Sequence, residues 1–195
     1  MLVTDEHDLE MMMIRSESFA HFIAEVGSSA KLRLFLDAHG ATDIREVLLE
    51  RALPLGCLRR HSHSLGIGLC FNGLKFSTFV ARETLDIDLE KMIESVLSLT
   101  RDSTLDLTEE VHRIRGLVDN IIEDPYQLCC GHDLIAILSV GLRKCIGSKS
   151  KEAASPEALE SALRLSYDSG CFLRTQLYQS AQQWSQKNAP YSVFS

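Results

Sequence analysis

The stretch LIAILSVGL at positions 134–142 carries no charged side chain and is apolar almost all the way round a helix. A membrane-spanning helix needs about 20 apolar residues, and this run is about half of that, so it reads as a buried core helix. A helix apolar on every side must be covered by other elements, and the rest of the chain is expected to wrap around it. At 195 residues, with 45% hydrophobic and 24% charged side chains, the chain has the length and composition of about one soluble globular domain. The expected division is residues 1–147 as the main body, with 148–195 as a helical extension packed on the same domain.

Most of that wrapping reads as helix. Leu9, Met12, Met13, Phe19, Phe22, Ile23 and Val26 recur at helical spacing, which predicts one long helix from Asp8 to a stop at Gly27. SSAKLRLFLDAHG predicts a second helix ended by Gly40 in a left-handed cap, and Asp43 with Glu46 forms a capping box for a third. Pro54 and Gly56 are expected to kink or break that third helix. Further on, Asp86 or Asp88 can cap DLEKMIESVLSLT, and Thr108 can cap the run from Glu109 to Ile122. Asp124-Pro125 punctuates before the apolar helix, which starts near Gly131. GSKSKEAAS at 147–155 is linker-like, Ser155 with Pro156 opens another helix, and the stretch from Cys171 to Lys187 is a last one.

Between Leu65 and Ala81 the texture changes to LGIGLCF, then Asn72-Gly73, then LKFSTFVA. Asn-Gly between two runs rich in Phe, Val and Leu is the strongest short-range hairpin signal, because both residues tolerate positive φ. The fold class expected is therefore mainly α with one small β-hairpin, an α+β arrangement. Phe71, Phe76 and Phe79 on that hairpin read as core, aromatic content being too thin for a single-strand stacking platform.

Three stretches hold the candidate chemistry. In LVTDEHDLE, a short apolar run ending in acid and followed by a helix resembles the carboxyl end of an α/β strand. There Asp5, Asp8 and Glu10 offer hard oxygen ligands for Mg²⁺ or Mn²⁺, and His7 offers proton transfer. The competing reading makes Asp5 or Asp8 a helix cap with an acidic first turn, and composition by itself favours the cap. In YQLCCGHDLIAILSVGLRK, a buried helix begins at Gly131, His132 and Asp133, so two functional groups and a positive dipole end meet at one point. Asp133 as a plain N-cap is the alternative. Cys129 and Cys130 are adjacent, a poor geometry for a shared zinc, and read as small apolar packing residues. In LRRHSHS, Arg59, Arg60, His61 and His63 form the one concentrated cationic cluster of an acidic chain. It reads as a solvated turn before the hairpin, facing phosphates or an acidic partner, so replacing both arginines is expected to leave stability nearly unchanged.

VTDEHDLEMMM, LRRHSHSLGIGLCFNGLKFSTFV and CCGHDLIAILSVGLRK occur here in that order. Together they resemble the carboxyl-terminal part of an uncharacterised bacterial family with a Toprim-like core, encoded beside ABC-type ATPases in phage-defence loci. The Toprim nuclease subunit of PARIS-type systems belongs to that group. The resemblance implies a Mg²⁺-dependent nuclease working with an ABC-type ATPase partner in anti-phage defence. It also implies that the chain forms part of a Toprim-like α/β domain with a helical bundle. It carries catalytic roles onto Asp5, His7, Asp8, His132 and Asp133, and metal ligation onto Asp5, Asp8 and Glu10. The family's glutamate and first acidic pair precede T-D-x-H-D, where this sequence has only Met1, Leu2 and Val3, so the expectation is a partial site. The alternative function is a non-catalytic helical module that docks a partner protein.

The remaining features bound partners and location. A net charge of -7 argues against a wholesale nucleic-acid coat, while a local basic patch keeps nucleic acid open as a partner. Six cysteines without a C-x-x-C pair, and the lack of a basic-then-apolar leader, read as reduced thiols in a cytoplasm with no membrane contact. Self-association is left open by the sequence. P-loop, G-x-G-x-x-G, G-x-S-x-G and H-E-x-x-H signatures do not occur.

Overall fold

The computed structural model describes residues 3–101, 105–148, 150 and 152–193. Among them eleven α-helices form: α1 Leu9–Arg15, α2 Ser18–Val26, α3 Ser29–His39, α4 Ile44–Leu65, α5 Leu89–Leu99 and α6 Leu107–Asp119, followed by α7 Pro125–Leu128, α8 Gly131–Leu142, α9 Pro156–Ser166, α10 Ser169–Leu173 and α11 Gln176–Lys187. No β-sheet forms among the described residues, where the bridges are isolated ones, Gly27 with Ser148 and Val80 with Ile87. Leu2 of the LVT stretch and Lys149 and Lys151 of the linker-like stretch lie outside them.

The apolar run at 134–142 sits in α8, which packs against α4, α9 and α1. Leu134 and Ile137 are fully buried, and Ile135, Leu138 and Leu142 nearly so. Burial of Ser139 is compensated, because its hydroxyl donates to the Ala154 carbonyl at 2.6 Å. In the 148–195 stretch, α9 covers α8 with fully buried Leu159 and Leu163, and it also packs against α1 and α2.

Local cap signals hold where their partners are two or three residues away. Asp8, Asp88, Asp124 and Ser155 each cap the helix that follows, and Gly40 ends α3 at φ 62. Asp43 caps α4 through the Arg45 N–H, but the Glu46 carboxylate reaches back to Thr42 rather than to Asp43. Asp106, two residues before the expected Thr108, caps α6.

Four expectations are corrected by tertiary contacts. The hairpin does not form: Asn72-Gly73 makes a turn, with Gly73 at φ 84, but its arms do not pair. The Leu69 N–H donates instead to the Ser62 hydroxyl at 2.9 Å and the Cys70 N–H to the Thr100 hydroxyl at 3.0 Å, while Phe76–Thr78 winds into a 3₁₀ turn. Ser62 of α4 and Thr100 at the end of α5 thus take the donors that a strand partner would have used. Phe79 is nonetheless core, as expected, with Phe71 and Phe76 packed against it more shallowly. Pro54 does not end α4, because Val47, Leu48 and Ala52 before it and Leu55, Cys57 and Leu58 after it are all buried. Burial of both halves outweighs the roughly 3 kcal/mol that an interior proline removes.

The single helix expected from Asp8 to Gly27 is two helices, broken at Ser16 in an extended conformation. Arg45, fixed by Asp43, donates to the carbonyls of Ile14 at 3.4 Å, Arg15 at 3.2 Å and Ser16 at 3.2 Å. One guanidinium therefore satisfies the C-terminal carbonyls of α1 and lets α2 leave at a new angle. The last expected helix is likewise divided, into α10 and α11, with Thr175 capping the second.

Candidate functional site

The acidic opening segment runs along the outside of α7 and α8. It is tied down by backbone and side-chain hydrogen bonds: the His7 N–H donates to the Tyr126 carbonyl at 3.1 Å, and Gln127 Nε2 donates to the Asp5 carbonyl at 2.8 Å and to Glu6 at 2.9 Å. Within this segment each expected metal ligand ends on a different partner. Asp5 accepts from the Gln176 and Leu177 N–H groups, both at 2.8 Å, and so holds the first turn of α11. Asp8 accepts from Met11 N at 2.8 Å with one oxygen and from Gly131 N at 2.8 Å with the other, capping α1 and docking α8 at once. Glu10 is buried and meets Arg164 at 3.3 Å and His132 Nε2 at 3.7 Å. Asp5, Asp8 and Glu10 therefore do not converge on one ion.

Gly131 is where α1 and α8 touch. A Cβ there would lie 2.5 Å from Glu10 Cβ and 2.8 Å from the Met11 nitrogen, so the contact requires glycine. The next two residues diverge. His132 is half-exposed, with Nδ1 2.7 Å from Glu160, which also pairs with Arg164 at 3.4 Å. Burial works to lower its pKa, but the Glu160 hydrogen bond and the charges of Glu10, Glu160 and Asp8 outweigh burial and raise it. Asp133 points the other way, into the core, and is gripped by Arg59 through Nε at 3.0 Å and through a terminal nitrogen at 2.8 Å. Burial pushes the Asp133 carboxyl up, and the Arg59 hydrogen bonds oppose that without cancelling it. It is an ion-pair partner and not the cap of α8, which starts at Cys130 without a side-chain cap.

The RRHSH cluster is correspondingly not a solvated turn. It forms the last turns of α4, with its four basic side chains in different environments. The Arg59 side chain is only 27% exposed and lies over the Phe71 ring at 4.1 Å. His61 packs inward, 3.5 Å from the buried Glu110 carboxylate. Arg60 pairs with Glu123 at the surface, and His63 is exposed.

Beside this helix end lies a cleft of about 600 Å³. Arg59, Arg60, His63 and His7 bring cationic and titratable groups to it, and Leu69, Phe71 and Leu128 give it apolar surface. Gly56 lets α7 approach, since a Cβ there would fall 2.9 Å from the Leu128 carbonyl oxygen. A ring nitrogen of His7, which lines the cleft, lies within 4.8 Å of a carboxylate oxygen of Asp8 and of the Cys130 sulfur, and those two lie as close to each other. Burial, together with the charges of Asp133 and Asp8, pushes the Cys130 thiol up to about 12.

Three of these relations escape a reading of the chain. Glu160 and Arg164 lie far along the sequence from the residues they pair with, and the Arg59–Asp133 pair spans 74 positions. Cys130 looks like small packing only because its neighbour Cys129 is; the two side chains diverge, Cys129 being wholly buried and directed at the Leu49 carbonyl. Comparison of the chain with protein-family models, with curated proteins and with solved structures finds no match.

Proposed function

We propose that the chain is a non-catalytic helical binding module that docks an acidic segment of a partner protein in the cleft at the end of α4. The observation that carries this reading is the division of labour among the charges. Asp5, Asp8 and Glu10 hold helix ends and ion pairs at three separate places, whereas Arg60, paired with Glu123 at the surface, and the exposed His63 line a cleft with apolar walls. Apolar walls with a cationic rim suit a peptide that carries carboxylates around an apolar anchor.

A labelled peptide of alternating acidic and aromatic residues tests the proposal by fluorescence anisotropy. Binding should weaken with salt and be lost when Arg60 and His63 are both changed to Ala. Absence of binding, or binding indifferent to that change, overturns it, as does preference for an oligonucleotide of equal charge. The second reading is a Mg²⁺- or Mn²⁺-dependent nuclease working with an ABC-type ATPase partner. The closeness of Asp8 to His7, which lines a cleft that also holds Arg59 and Arg60, favours it. Cleavage of DNA or RNA by the purified chain, dependent on Mg²⁺ or Mn²⁺, would establish that reading instead.

A further inference from the structure

We infer that His7, Asp8 and Cys130 bind a borderline-soft divalent cation of the Zn²⁺ class at the junction of the N-terminal segment with α7 and α8. The inference does not depend on what occupies the cleft. One imidazole, one carboxylate and one thiol form a mixed donor set that suits Zn²⁺, whereas Mg²⁺ demands near-octahedral oxygen ligands. Bond lengths of about 2.3 Å to sulfur and about 2.0–2.2 Å to nitrogen and oxygen put neighbouring ligand atoms of a tetrahedron about 3.4–3.6 Å apart. Here the three atoms already lie within 4.8 Å of one another, so side-chain rotation of roughly an ångström closes the site.

The surroundings are those that orient metal ligands. His7 Nδ1 lies 3.2 Å from the Gln127 carbonyl oxygen, and in the tautomer that donates this bond Nε2 keeps its lone pair. Asp8 is held by two backbone N–H donors at 2.8 Å each, one per oxygen, and each oxygen retains a second lone pair. The segment bearing His7 and Asp8 is fastened to α7 through Tyr126 and Gln127, and the Gly131 bond to Asp8 sets it against Cys130. Three protein ligands would leave a fourth position, as in zinc sites that take an exogenous ligand.

Titration of the full chain with Co²⁺, a spectroscopic stand-in for Zn²⁺, tests the inference. The expected result is one equivalent bound, with a near-ultraviolet sulfur-to-cobalt charge-transfer band that Zn²⁺ abolishes and excess Mg²⁺ does not. Cys130→Ser should remove the band while Cys57, Cys70, Cys129, Cys145 and Cys171 remain. His7→Gln, at an exposed position, should weaken Co²⁺ binding by about tenfold or more, and it serves as the deciding variant should Cys130→Ser not fold. A wild-type chain without the band, a band that survives Cys130→Ser, displacement by Mg²⁺, or unchanged affinity in His7→Gln overturns the inference. Because the probe is the metal alone, a negative result leaves peptide docking in the cleft unaffected, and the reverse also holds.

Discussion

Arg59 and Arg60 are neighbours in sequence, and their truncation should differ several-fold in consequence. The Asp133 side chain is 4% exposed and Arg59 supplies both of its hydrogen bonds, at 3.0 and 2.8 Å. Removing one partner of a buried pair costs about 3–5 kcal/mol, because the other charge is left unpaired. Arg59 lies at the edge of the cleft, 27% exposed, so water entering the vacated space reduces this to about 2–4 kcal/mol, with loss of the Phe71 stacking adding about 0.5–1 kcal/mol. Arg60 pairs with Glu123 at the surface, and Arg60→Ala should cost only about 0.2–1 kcal/mol. Urea denaturation followed by circular dichroism measures both. The sign of the pH dependence provides a second check. Burial already holds the Asp133 carboxyl above its unfolded value, and loss of Arg59 raises it further. A carboxyl raised in the folded state stabilises below its unfolded pKa of about 3.9, and that stability is lost as pH rises through the folded-state value. The Arg59→Ala penalty should therefore be largest at neutral pH and shrink toward acid, and Arg59→Ala with Asp133→Ala together should recover part of the loss. Equal costs for the two arginines, or a penalty for Arg59→Ala that ignores pH, would refute the buried-pair reasoning.

Gly131→Ala should destabilise by about 2–4 kcal/mol in the same assay, because its Cβ would meet Glu10 and the Met11 nitrogen and break the charged hydrogen bond that the residue 131 N–H donates to Asp8. A neutral substitution would show that α1 slides freely on α8. Arg45→Ala should lower stability by about 1–3 kcal/mol and raise hydrogen exchange at the α1–α2 junction, where it leaves the carbonyls of Ile14, Arg15 and Ser16 without their donor. Unchanged exchange there would assign the break to Ser16 alone. His132, raised in the folded state, contributes stability that is complete below its unfolded pKa near 6.5 and lost as pH rises through the folded value. The half-exposed ring limits the effect to at most about 1 kcal/mol, and His132→Gln should flatten the melting temperature across that range.

Features that depend on partners within one helical turn were legible along the chain. Asp8, Asp43, Asp88 and Ser155 cap where their spacing says they should, because the N–H groups they satisfy lie two or three residues on. Gly40 ends α3 for an equally local reason, and the uniformly apolar 134–142 run had no alternative to burial. The other features depend on groups that meet only when the helices pack. Asn72-Gly73 is a sound turn, yet a hairpin also needs free donors along both arms, and Ser62 and Thr100 from other helices had taken them. Pro54 carries the same local penalty in any chain, but the buried surface on both sides of it is a property of the packed fold. In the opening DEHDLE the carboxylates were legible as cap or ligand, with composition favouring the cap. The choice was made by groups at a distance: Gln176 and Leu177 for Asp5, Gly131 for Asp8, Arg164 for Glu10. A carboxylate's role is set by which donors surround it, and those donors meet only after the chain has folded.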